Sequence, residues 1–264
     1  MAVPLPVPIP PFPPIWLESR FALELAVLRR SDVWRGDAVA AGEDRPVLLI
    51  PGFMAGDTTL GTMTDWLRRN GYRTKSAGIR VNVGCSEAAC ARIEERLEAM
   101  AERHGPVTLI GQSRGGLFAK ALASRRPELV SGIVTLGSPL CNMLAVHPIV
   151  LAQIGIVGAL GSLALPGLLS TRCLRGECCD RFREALEEPF PEHVGYVSLY
   201  SRSDGIVDWR ACLDPEADEH VEVRASHCGM SVNASAYRAV ADALAAFAAR
   251  QAGPRAAAPL ARAA

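Results

Sequence analysis

Pro106-Val-Thr-Leu-Ile110 followed by Gly111-Gln112-Ser113-Arg114-Gly115 and a helix-like stretch from Gly116 places a Gly-x-Ser-x-Gly turn between an apolar strand and a helix. A serine on so sharp a turn requires small neighbours. A Cβ at position 111 or 115 would collide with the flanking strand and helix. The pentapeptide alone occurs by chance; its strand–turn–helix setting is what nominates Ser113 as a nucleophile.

A serine hydroxyl is a weak nucleophile at neutral pH, so Ser113 needs a base and an acid to orient that base. Both types of residue follow downstream, each just past a strand-like run. After Tyr196-Val-Ser-Leu-Tyr200 comes Asp204-Gly205, and after His220-Val-Glu-Val-Arg224 comes Ser226-His227-Cys228-Gly229. His104 precedes the nucleophile strand, His147 and His193 fall in an inserted region, and His220 opens a strand, which leaves His227 as the candidate base. Asp204 is the favoured acid. Asp208 lies four residues later, where Arg202 or Arg210 could pair with it.

The order Ser, Asp, His at strand ends resembles the α/β-hydrolase superfamily, and most of all its bacterial lipase and esterase branch. The resemblance runs from about Pro46 to Arg250 and includes Leu49-Ile-Pro51-Gly52-Phe53, where that branch carries a strand followed by a His-Gly oxyanion loop. Proline stands here in place of the usual histidine. The resemblance implies catalytic roles for Ser113, Asp204 and His227, and an oxyanion hole made by the backbone N–H groups of Phe53 and Arg114. Losing one such donor typically costs roughly 3–4 kcal/mol of barrier. It also implies an α/β-hydrolase fold with a mostly parallel sheet, helices on both faces and an apolar helical cap.

The strand pattern supports that architecture independently. Runs at Val47–Ile50, Val107–Ile110, Ile133–Leu136, Val194–Tyr200 and Val221–Val223 alternate with helix-length segments, as in a parallel α/β sheet. A chain of 264 residues with 49% hydrophobic content suits one large domain, expected over 46–250. Before it lie a Pro-rich segment and a short helix (1–45), and after it an Ala-rich tail (251–264). Seven prolines in the first fourteen residues favour extended polyproline-like structure, and no secretory signal pattern is present there, so a cytoplasmic location is expected. The 28 basic and 28 acidic residues cancel, which argues against nucleic acid as a partner.

Several local expectations follow. Phe21, Leu25 and Leu28 recur at helical spacing within Glu18–Arg30 and predict an amphipathic helix packed on the domain. Asp57 is placed to cap the helix that follows it. Ile93, Leu97 and Met100 give Glu87–His104 one apolar face, predicting a surface helix that ends at a solvated His104.

Pro148–Leu169 holds one amide, Gln153, one hydroxyl, Ser162, and no charge. Length and hydropathy alone would let it span a membrane. Its place between two core strands argues against a span, and its glycines suggest short helices. By resemblance, residues 141–192 would form a cap over Ser113 that holds an apolar acyl or alcohol group, compatible with peripheral lipid contact.

Arg114 departs from the small residue often found after the nucleophile. Its guanidinium either brings a cation near the site, favouring a carboxylate-bearing substrate, or pairs with a neighbouring acid and faces away. Gln112 replaces a common histidine. Cys85 with Cys90, and Cys173 with Cys178 or Cys179, are spaced for local bridges; free thiols are the alternative, and a zinc site lacks a second Cys/His pair at the usual spacing. Together these features predict a serine carboxylic-ester hydrolase that needs no metal or organic cofactor. An acyltransferase using the same three residues is the alternative. A non-catalytic binder of apolar ligands and a membrane-attached scaffold are remoter ones.

Overall fold

Alternate residues of the first strand bury against opposite sides of the sheet, and both sides are covered. In β1 (Pro46–Ile50), Val47 and Leu49 join one core cluster while Leu48 and Ile50 join the other. A strand buried on both faces reads as a continuous apolar run, and that is why the sequence shows it. The computed structural model describes residues 12–252 apart from positions 38, 164 and 177. The expected polyproline-like run up to residue 11 and the Ala-rich tail beyond Ala252 lie outside the described residues.

The described strands form one parallel sheet in the order β2-β1-β3-β4-β5-β6, with β2 (Arg73–Ser76), β3 (Val107–Gln112), β4 (Val130–Leu136), β5 (Gly195–Tyr200) and β6 (Glu219–Glu222). The edge strand β2 was invisible to hydropathy because Arg73-Thr-Lys-Ser has no apolar residue. It is held through pairing with β1, whose partners run from Pro46 with Arg73 to Leu49 with Ser76.

On one face lie α1 (Phe21–Arg30), α2 (Asp32–Arg35), α3 (Gly61–Arg69) and α9 (Ala234–Ala252), contributing Leu28, Val33, Trp66 and Tyr237 to the core. Trp66 is fully buried, its ring centroid 4.7 Å from that of Tyr237 and its indole N–H donating to the Val33 carbonyl at 2.7 Å. The other face carries α4 (Ser86–His104), α5 (Arg114–Arg125) and α8 (Asp180–Glu187), with Leu97, Phe118 and Phe182 in its core cluster. Ile93, Leu97 and Met100 are buried as the helical spacing predicted, and His104 is exposed.

The helix α5 is fixed at its middle by a buried charge network. Lys120 Nζ donates to Asp214 Oδ2 at 2.6 Å and approaches Glu216 Oε2 at 2.7 Å, while the Tyr196 hydroxyl donates to the same Asp214 oxygen at 3.0 Å. Removing one partner of such a buried set typically costs about 3–5 kcal/mol. The network ties α5, which begins one residue after Ser113, to the loop between β5 and β6.

Between β4 and β5 the chain forms α6 (Pro148–Ser162) and α7 (Thr171–Arg175) before α8. The apolar stretch from Pro148 breaks after Ser162, and among the described residues no helix is long and apolar enough to cross a membrane. Of the expected cap region, α8 packs into the core, with Phe182 5.5 Å from Phe118.

Two local expectations change. Asp57 does not cap its helix; its Oδ2 accepts from the N–H groups of Gly78 and Ile79 at 2.9 and 3.0 Å, so it anchors the segment leaving β2. Cys85 and Cys90 are not brought together as a pair. Cys90 is buried on the inner side of α4 beside Arg125, whereas Cys85 turns toward Cys178 and Cys179 at 3.8 and 3.6 Å.

Candidate active site

Ser113 occupies the turn between β3 and α5 with φ 53° and ψ −122°. Left-handed φ at a residue bearing a Cβ stores about 1–3 kcal/mol and persists only where its surroundings enforce it. Here the Ser113 N–H donates to the Leu136 carbonyl of β4 at 2.8 Å. A Cβ on Gly111 would overlap the Gly115 carbonyl, and one on Gly115 would overlap the Ile50 carbonyl at the end of β1. The two glycines let α5 start hard against two strands, which leaves the serine side chain at the sheet's carboxyl edge.

Asp204 and His227 lie at the same edge, on the loops that leave β5 and β6. His227 Nδ1 and Asp204 Oδ2 are 2.7 Å apart, and both residues are buried. Asp204 Oδ1 accepts from the N–H groups of Ile206 and Val207, each at 2.8 Å, so the carboxylate is locked in one orientation. Burial opposes charging of His227, but the charge and hydrogen bond of Asp204, aided by Glu18, outweigh it and raise the imidazole pKa above 6.5. Gln112, one residue before the serine, donates from Nε2 to the His227 carbonyl at 3.1 Å. The side chain that stands in for a common histidine thus ties the nucleophile strand to the histidine loop.

Two further acids complete the frame, and both come from the N-terminal segment expected to precede the catalytic domain. Glu18 accepts from the N–H groups of Gly205, His227 and Cys228 at 3.1, 3.0 and 2.9 Å, bracing the aspartate loop against the histidine loop. Glu24 accepts from the Ser226 N–H at 2.9 Å and from Asn233 Nδ2 at 3.3 Å. The only available signal was an acid on the inward side of the predicted helix: Glu24 falls one residue before Leu25 and four before Leu28. Contacts about two hundred residues apart in sequence leave no local pattern.

The remaining candidates fall elsewhere. Asp208 pairs with Arg210 at 3.3 Å and accepts its N–H at 3.1 Å. His220 meets the Asp214 carbonyl at 2.8 Å, His193 the Pro127 carbonyl at 3.3 Å, and His147 accepts the Ile149 N–H at the start of α6.

Ser113 and His227 open into one cavity of about 580 Å³, within the range of small-molecule sites. Phe53 and Arg114 line it too. Arg114 is the first residue of α5, so its N–H has no acceptor within the helix. Val146, Val150, Ile154 and Leu174, from α6, α7 and their flanks, form much of the apolar wall. The expected pairing of the Arg114 side chain with a neighbouring acid does not hold: the guanidinium donates to the Asn82 carbonyl and Oδ1, the Gly84 carbonyl and the Ser86 hydroxyl at 2.7–3.2 Å. It is paired with no acid among the described residues. Burial lowers its pKa to about 10, opposed by the nearby cysteines. Cys173 and Cys179, also on the wall, belong to a cluster of four thiols completed by Cys85 and Cys178.

No protein-family model matches the chain, and no curated protein matches it in sequence. Among solved structures it is similar to the lipase BlEst2 of Bacillus licheniformis in its mature form, at TM-score 0.55 and 16% identity over 77% of this chain and 92% of that one. It is similar also to the monoacylglycerol lipase of Paleococcus ferrophilus, at TM-score 0.56 and 17% identity over 79% and 97%. A soluble variant of monoglyceride lipase from Saccharomyces cerevisiae gives TM-score 0.51 and 16% identity over 79% and 89%. The chain therefore has the α/β-hydrolase fold.

Proposed function

We propose that this α/β-hydrolase-fold chain is a serine carboxylic-ester hydrolase that works through an acyl-enzyme on esters with apolar acyl groups. The observation that carries the reading is the buried Asp204–His227 pair facing the same apolar cavity as a serine held in a strained turn. In the first step Ser113 Oγ attacks the ester carbonyl carbon while its proton passes to His227 Nε2. The oxyanion of the tetrahedral intermediate accepts hydrogen bonds from the N–H groups of Phe53 and Arg114. Collapse expels the alcohol, which takes the proton from His227, and leaves Ser113 acylated. Water then repeats the sequence and releases the acid. Asp204 keeps the Nδ1 proton in place so that Nε2 is free to accept.

The acyl group is assigned to the wall built by α6 and α7, which act in this reading as a cap within residues 141–192. A helix apolar on all sides is normally buried. Here Ile149, Ile156, Leu160 and Leu163 are exposed on α6 and just past it, which supports transient contact with a lipid surface during substrate entry.

The test is hydrolysis of p-nitrophenyl esters from acetate to palmitate, with an added alcohol in parallel. The rate constant kcat/KM should rise from acetate toward longer acyl chains, and the free acid should remain the main product. A profile that peaks at acetate would remove the apolar-acyl assignment. If a dilute alcohol captured most of the acyl group, the same residues would be serving a transferase.

The raised pKa of His227 fixes the pH dependence. The neutral imidazole is the form that accepts the serine proton, so activity is lost as pH falls through that raised pKa. The acid limb of kcat/KM is therefore expected above 6.5. Because the charge of Glu18 helps raise it, Glu18→Gln should move the limb to lower pH. A limb that stays fixed in that variant would remove Glu18 from the electrostatics of the site.

A further inference from the structure

Four cysteine sulfurs from two distant parts of the chain meet beside the cavity. Cys85 stands at the start of α4, Cys173 lies in α7, and Cys178 and Cys179 lead into α8. The Sγ atoms are 3.8 Å apart for Cys85 and Cys178, 3.6 Å for Cys85 and Cys179, 3.2 Å for Cys173 and Cys178, and 3.8 Å for Cys178 and Cys179. All four lie within 4.8 Å of one another. A tetrahedron with metal–sulfur bonds of about 2.3 Å has edges of about 3.8 Å, so the cluster has the size of a single-ion site. A polynuclear iron–sulfur cluster would spread its cysteines over several metal atoms and hold them farther apart.

We propose that Cys85, Cys173, Cys178 and Cys179 form a tetrahedral zinc site that fastens the α7–α8 segment to the start of α4. Sequence spacing points away from zinc because Cys173-Leu-Arg-Gly-Glu-Cys178-Cys179 has no second Cys/His pair at the usual distance along the chain. The missing ligand is instead Cys85, supplied across the fold.

Independent features of the surroundings suit four thiolates. Cys85 is the N-cap of a 19-residue helix, whose unpaired N–H groups favour negative charge. The Ser170 hydroxyl approaches Cys173, with Oγ to Sγ at 3.7 Å. Arg114 is a buried cation whose hydrogen-bond acceptors are all uncharged oxygens. Burying a cation without a counter-charge is costly. A zinc ion with four thiolates carries two net negative charges and supplies that balance next to it. On binding, each cysteine that enters as a thiol releases its proton to solvent, and no electron is transferred.

The test does not depend on the proposed catalysis, because metal content is measured without substrate. Full-length protein lacking a histidine tag is purified under reducing conditions with zinc supplied, and its metal is quantified by mass spectrometry after gel filtration. About one zinc per chain is expected in the wild type and in Cys90→Ser, whose sulfur lies outside the cluster; Cys85→Ser and Cys178→Ser should fall roughly tenfold or more. Cobalt(II) substituted into the wild type should give the intense visible bands of tetrahedral thiolate coordination, a result that does not depend on whether a variant folds. Reduced wild type that retains no zinc and gives no such cobalt bands would overturn the site. So would cysteines found joined in two disulfides, or variants that bind as much zinc as the wild type.

Discussion

Ser113→Ala is expected to lower kcat on a p-nitrophenyl ester by at least ~10⁴-fold, because it removes the atom proposed to form the acyl-enzyme while leaving the rest of the site in place. The substitution is conformationally mild. Alanine keeps the Cβ, so the φ of 53° costs it about what it costs serine, and no hydrogen bond from the Ser113 side chain contributes to the described network. The backbone N–H still donates to Leu136 at 2.8 Å, and the Asp204–His227 pair is untouched. The melting temperature should accordingly stay within a few degrees of wild type. The check is the paired measurement of kcat and Tm, together with burst kinetics that detect acylation. A variant with undiminished turnover and unchanged Tm would mean that Ser113 is not the nucleophile and that another group cleaves the ester.

The parts of this molecule that could be seen in its sequence are those governed by local chemistry. Strands buried on both faces appear as unbroken apolar runs, which is why β1, β3, β4 and β5 were legible. The edge strand β2 owes its conformation to its hydrogen bonds with β1 and has no apolar residue to announce it. The serine turn was legible because its backbone geometry demands glycine at 111 and 115, a demand written within five residues. Asp204 and His227 were found by their order after strands, and the structure brings them to 2.7 Å. What holds them there was hidden: Glu18 reaches the N–H groups of Gly205, His227 and Cys228 across about 190 to 210 positions, and an acid that accepts N–H groups from so distant a segment has no sequence signature. The same limit hid the partner of Cys178 and Cys179. Spacing rules recognise ligands on one hairpin or helix, and Cys85 belongs to neither.

Asp204→Asn should lower kcat by about 10⁴-fold with little change in stability, for a reason that is visible in the two halves of the carboxylate. Oδ1 accepts the N–H groups of Ile206 and Val207, each at 2.8 Å. An asparagine keeps those bonds only by placing its carbonyl oxygen at the Oδ1 position, since an NH₂ group there would face two donors. That choice turns the NH₂ group toward His227 Nδ1, where the carboxylate had accepted a hydrogen bond. Nδ1 must then become the acceptor, which moves the imidazole proton to Nε2, the atom that has to receive the Ser113 proton. The variant folds with a well-ordered histidine in the wrong tautomer. Loss of the Asp204 charge also removes the largest influence that raises the pKa of His227, leaving burial to lower it. Two signatures follow besides the drop in kcat: the imidazole titrates at lower pH than in the wild type when followed by NMR, and hydroxide restores part of the activity at high pH by bypassing the blocked base. A loss of only a few-fold, with the imidazole titration unmoved, would show that Asp204 is not the residue that sets the state of His227, and the role of orienting acid would have to pass to another carboxylate at the site.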